Sequence, residues 1–64
     1  MLRFKMYRQS IGLLGGGQWR WRLLAANNKI IADSGKSYHN ESDCRHGISL
    51  VMSTSILTPI DVIL

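Results

Sequence analysis

The stretch Gln18-Trp19-Arg20-Trp21-Arg22-Leu23-Leu24-Ala25-Ala26-Asn27-Asn28-Lys29-Ile30-Ile31-Ala32-Asp33-Ser34 decides the fold. Trp19, Trp21 and Leu23 alternate with Arg20 and Arg22. A period of two sends the two sets to opposite faces of a β-strand. Ala26 to Lys29 reads as the turn, because asparagine tolerates the left-handed backbone of a tight hairpin. Ile30-Ile31-Ala32 then returns as the partner strand, so the segment is a β-hairpin with one apolar and one cationic face.

Toward the N-terminus, Arg3-Phe4-Lys5-Met6-Tyr7-Arg8 alternates in the same way. It reads as a first strand, with Phe4 and Met6 on one face and Arg3, Lys5 and Tyr7 on the other. Gln9 to Gly17 is a loop holding four of the six glycines, and its Leu13 and Leu14 can fold back on the sheet. Toward the C-terminus, Gly35 ends the third strand and Lys36 to His39 is a connector.

Asn40 is placed to cap a helix, its side chain accepting from the Asp43 amide. Glu41 and Asp43 put negative charge in the first turn, where the helix dipole favours it. Cys44, Ile48 and Val51 recur at helical spacing, which predicts a helix over Glu41–Met52 with those residues inward. Gly47 costs a helix interior about 1 kcal/mol relative to alanine, so a close approach to the sheet is expected there. Ser53-Thr54-Ser55 ends the helix by competing for backbone bonds. In the tail, Pro59 suits a strand start, and residues 60–64 are expected to form a fourth strand. Left in water, that tail is an aggregation hazard. It can add to its own sheet or cross to a second subunit.

Sixty-four residues make one domain, 1–64, and a chain this short buries only about 60% of its unfolded surface. Such domains need a staple, and the single cysteine, Cys44, excludes an intrachain disulfide. A partner chain is the remaining staple, and the lone thiol fits a reducing cytoplasm. Net charge is +4, a bias that admits an anionic partner. Arg3 and Lys5 break any signal-peptide core, and Pro59 and Asp61 interrupt a tail already shorter than the roughly 20 residues of a membrane helix.

Phe4 to Tyr7, Trp19-Arg20-Trp21-Arg22-Leu23, Ala25-Ala26-Asn27, Ile30-Ile31-Ala32, Ser34-Gly35, Tyr38 and Gly47-Ile48 together resemble the YegP-like family. Its members are small, uncharacterised, mostly bacterial proteins, and the resemblance covers nearly the whole chain to about Val51. It implies an α+β fold built from a β-β-β-α-β unit, an antiparallel sheet with one helix. It also implies a homodimer in which two units exchange C-terminal strands and form one continuous sheet. Ile60, Val62, Ile63 and Leu64 would then be the dimer tail. The chain departs from the family pattern in a longer loop, Ser10 to Gly17, and in an apolar tail where relatives often carry lysines. The resemblance brings no activity, catalytic residue or cofactor.

The residues offer one candidate site. Alternation sends Arg3, Lys5, Arg20 and Arg22 to the face opposite the helix, with Tyr7 among them. Cations around an aromatic on an open sheet are suited to single-stranded nucleic acid, phosphates pairing with the cations and bases stacking. The bland alternative is a solvated outer face. Trp19 and Trp21 read as core. Cys44 and His46 point about 200° apart on a helix and cannot share a metal ion, and no second cysteine completes a zinc set. Ser37, His39 and Asp43 lack the arrangement of a triad, and the glycine run lacks the lysine and following helix of a phosphate loop. The expectation is a non-enzymatic homodimeric interaction module without cofactor or metal; the alternative is a nucleic-acid-binding dimer using the basic face.

Overall fold

A computed structural model of the chain describes residues 1–9 and 17–63. Three strands, β1 (Arg3–Gln9), β2 (Gln18–Leu24) and β3 (Ile30–Asp33), precede one helix, α1 (Glu41–Met52). The strands form one antiparallel sheet in the order β1-β2-β3. The chain is thus α+β, with the helix bounds that its residue pattern predicts. The expected contacts of Leu13 and Leu14 fall outside the described residues, as does Leu64.

The hairpin turn has a definite chemistry. Asn28 donates its backbone N–H to Ala25 O at 2.9 Å, and Ala25 N–H donates to Lys29 O at 2.9 Å. Asn28 lies in the left-handed region at φ +67°, and Lys29 N–H donates to the Asn27 side chain. Beyond the turn, one extra residue in β3, Ile31, shifts the strand pairing by one position. That shift falls between Leu23 and Leu24, where Leu24 is buried at the end of β2. Gly35, also at φ +67°, ends β3, and its N–H donates to the Asp33 carboxylate at 2.9 Å.

After Gly35 the chain returns to β2. Trp19 and Tyr38 form an isolated antiparallel bridge, exchanging backbone hydrogen bonds of 2.7 and 2.9 Å. The connector therefore acts as a short extension of the sheet beside β2. This sets Tyr38 under the helix, where its Oη lies 2.6 Å from the position a Cβ on Gly47 would occupy. Trp21 Nε1 lies 3.5 Å from the same position. Gly47 is the close approach expected of it.

Trp21 is buried and meets Phe4 edge-to-face at 5.5 Å between ring centroids. Cys44 is fully buried on the helix face turned to the sheet, with Ile48 and Val51 half-buried beside it. Among the described residues only Trp21, Leu24 and Cys44 are buried hydrophobics. Burial pushes the Cys44 thiol up from the ordinary range, Arg45 pulls it down and Glu41 adds to the rise.

Two expectations are corrected. Asn40 occupies the N-cap position but makes no side-chain bond to a helix amide. Its Nδ2 instead donates to the Asp43 carboxylate at 3.2 Å, because a charged acceptor competes well for the amide group. The described tail, to Ile63, forms no fourth strand, and Ile56, Leu57, Ile60, Val62 and Ile63 stand exposed. Short hydroxyl-to-carbonyl bonds from Ser53 and Thr54 close the helix, and a turn at Ser55–Thr58 follows. These carry the chain off without returning it to a sheet edge.

Gly47→Ala tests the close approach. Propensity alone would stabilise the helix by about 1 kcal/mol. The added methyl meets Tyr38 instead, so the melting temperature is expected to fall, and Tyr38→Phe in the same chain is expected to restore part of it. A rise for Gly47→Ala alone would mean that the helix lifts without cost. Cys44 yields a second expectation. A thiol whose folded pKa is raised contributes stability that is fully present below the unfolded value of about 8.5 and is lost as pH rises through the folded value. Denaturant midpoints should be level below the unfolded value and fall across the range between the two values, and Cys44→Ala should flatten the fall.

Candidate anion-binding sheet face

The register decides which residues share a face. Lys5 stands opposite Arg22 and Tyr7 opposite Arg20 on β1 and β2, and Arg22 stands opposite Asp33 on β3. Arg3, one pleat beyond Lys5, joins the same face. The five residues expected at the site are therefore together, on the side away from Phe4, Met6, Trp21 and Leu23.

Their side chains are organised locally. The Arg22 guanidinium lies over the Tyr7 ring, 4.9 Å from its centroid. Arg20 Nη1 donates to Ser37 Oγ at 3.2 Å, so the connector beside β2 holds this half-buried arginine in place. Arg3 Nη2 donates to Asn28 Oδ1 at the hairpin tip. Lys5 and Arg22 are exposed.

The electrostatics are lopsided. Among the described residues the one ion pair is Arg45–Glu41, on the helix, at 3.2 Å. None of the four cations on the sheet face has a carboxylate partner there. Asp33 is the acid of that face, and its Oδ1 accepts from Gly35 N–H. Lys5 directly opposite Arg22 is a like-charge pair, which costs a sheet roughly 0.2–1 kcal/mol relative to a neutral pair. Ser37, Asn28 and Asp33 are the residues that the strand pattern did not bring to the site. None of the three was legible in the pattern: Asp33 reaches this face only through the extra residue at Ile31, and Ser37 and Asn28 through side-chain reach.

A family model described as a domain of unknown function (DUF1508) matches residues 16–61. An UPF0339 protein of Neisseria meningitidis serogroup B is 46% identical over 44 residues, which cover 69% of this chain and 77% of the relative. A serogroup A counterpart matches to the same extent. The chain belongs to this YegP-like DUF1508 family. The DUF1508 match contains β2, β3 and α1, hence Arg20, Arg22 and Ser37. Arg3, Lys5 and Tyr7 precede it, so half of the basic face lies on the strand outside the matched stretch. The DUF1508 description assigns no activity that could pass to these residues.

Other chemistries find no assembled site among the described residues of this DUF1508 chain. No three metal-capable side chains converge, and no cavity opens. Cys44 is buried while His46 is exposed on another side of α1. Ser37 accepts from Arg20 and Asp43 from Asn40, so neither is joined to His39. Among the described residues no helix is long and apolar enough to cross a membrane.

Lys5→Glu converts the opposed cations into a cross-strand ion pair. At low salt the variant is expected to melt a few degrees above the parent, with the gain shrinking as salt is added. An unchanged melting temperature at low salt would mean that Lys5 and Arg22 do not repel measurably.

Proposed function

We propose that this chain is a non-enzymatic interaction module of the cytoplasm that works as a homodimer. Its C-terminal tail, Ile60 to Leu64, would lie against the sheet of a second copy. The observation that carries the reading is the exposed tail: Ile56, Leu57, Ile60, Val62 and Ile63 are each at least 75% exposed. Exposed Ile30 and Ile31 mark the outer strand β3 as a receptive edge.

The dimensions agree with an unfinished assembly. The radius of gyration is 13.9 Å, against about 11 Å for a compact domain of this length. The chain exposes 5468 Å², against about 4100 Å² for a compact monomer of its mass. The difference exceeds the roughly 800 Å² that each partner gives to a standard interface.

A second reading is favoured by Lys5 opposite Arg22. A sheet face that keeps opposed cations with no ion pair to its one acid is suited to an anionic partner, and nucleic acid is the reading carried forward for that face.

Light scattering on the full chain tests the dimer. The expected mass is twice the chain's 7.2 kDa, with Val62→Asp shifting the population toward one chain per particle. A well-folded full-length monomer at every concentration would refute the dimer.

A further inference from the structure

We propose that the basic sheet face takes a single-stranded polynucleotide, with a base stacked on the Arg22 guanidinium over Tyr7 and phosphates at Lys5, Arg20 and Arg3. This rests on the nucleic-acid reading of the face and states how the ligand lies on it. The arrangement distinguishes three contributions: a planar stacking surface, a row of cations around it, and neighbours that fix the cations in place.

The stacking surface is the Arg22–Tyr7 pair. A guanidinium with one side on an aromatic ring keeps its other side for a second planar group. Unpaired bases stack on aromatic and guanidinium planes, whereas bases inside a duplex have both faces covered by their neighbours. The aromatic among the cations therefore favours a single strand over a duplex. It also favours a polynucleotide over an acidic peptide, which offers charge without large planar groups.

The cations have the right layout for a chain lying flat. Arg3 and Lys5 are two residues apart on β1, as are Arg20 and Arg22 on β2, about 6.6 Å in each case. The register offsets the two pairs so that they form one diagonal stripe, from Arg3 through Lys5 and Arg22 to Arg20 beside Tyr7. The stripe runs about 13 Å along the strands and is one strand spacing, about 5 Å, wide. Among the described residues, no helix or ribbon rises from it to enter a groove. Arg20 is set by Ser37 and Arg3 by Asn28, so two of the four cations are positioned before a ligand arrives.

The test is fluorescence anisotropy of the full chain with mixed-sequence single-stranded DNA and RNA oligonucleotides, the matching duplexes, heparin and poly-glutamate, over a salt series. Single strands should bind most tightly, with the logarithm of affinity falling as salt rises by about 0.7 per phosphate contact. Arg20→Ala should reduce that slope by about 0.7. Tyr7→Ala should weaken single-strand binding about fivefold or more with the slope kept, and Tyr7→Phe should restore it. Arg22→Lys keeps charge and removes the plane, so it should copy Tyr7→Ala even if that variant folds poorly. Circular dichroism and melting curves establish that each variant is folded. Equal binding of duplex or heparin, with Tyr7→Ala and Arg22→Lys silent, would overturn the stacked single strand and leave a general polyanion surface. Tighter binding of poly-glutamate than of any oligonucleotide would overturn it in favour of an acidic protein partner. No binding of any oligonucleotide at low salt would overturn both this inference and the nucleic-acid reading of the face.

Discussion

The contact of Trp21 with the helix at Gly47 is the constraint on which the rest of the structure depends. The indole is buried between Phe4 on the neighbouring strand and the helix, and its Nε1 comes within 3.5 Å of where a Gly47 side chain would begin. Only a residue without Cβ lets the backbone of α1 come this near without moving Tyr38. The approach brings Cys44 to full burial and leaves Ile48 and Val51 half-buried. It is also a weak point, because Trp21 Nε1 has no hydrogen-bond partner among the described residues. An unpaired buried donor costs roughly 1–3 kcal/mol, a large fraction of the stability of a domain this small.

The two faces of the sheet are unfinished in different ways. The apolar face is covered by a single helix, and Phe4, Met6, Trp19 and Leu23 remain half-buried. The other face carries like charges in register and one acid. Both conditions leave free energy available to association, one through apolar burial and the other through neutralisation of charge. The two are separable, since apolar association is insensitive to salt screening and ionic association is weakened by it.

The legible parts of this fold were those governed by periodicity. Alternation in Arg3–Arg8 and Gln18–Leu23 placed two strands and sorted their faces correctly, and helical spacing from Cys44 to Val51 fixed α1. Gly47 was legible because a glycine in a helix needs a reason. The Trp19–Tyr38 bridge was not, because a single bridge has no period, and Lys36 to His39 resembles any polar connector. Asn40 misled because its preference for the N-cap was satisfied in backbone conformation while Asp43 took its amide. The tail misled because Ile60 to Ile63 has strand composition, while the turn at Ser55–Thr58 carries it away from the edges of its own sheet. The site was legible to the level of its face; the ties of Arg20 to Ser37 and Arg3 to Asn28 depend on reach across the fold.

The extra residue at Ile31 has a consequence beyond the hairpin that carries it. It makes the one-position shift between Leu23 and Leu24, and so sets the phase of β3 relative to β2. In an alternating pattern, a slip of one residue exchanges faces. Asp33 would leave Arg22 for the indole side, and Ala32 would take its place among the cations. A single bulged residue in β3 thus acts as a polarity selector. It decides whether the one carboxylate of the sheet tempers the positive potential of the outer face or is withdrawn from it.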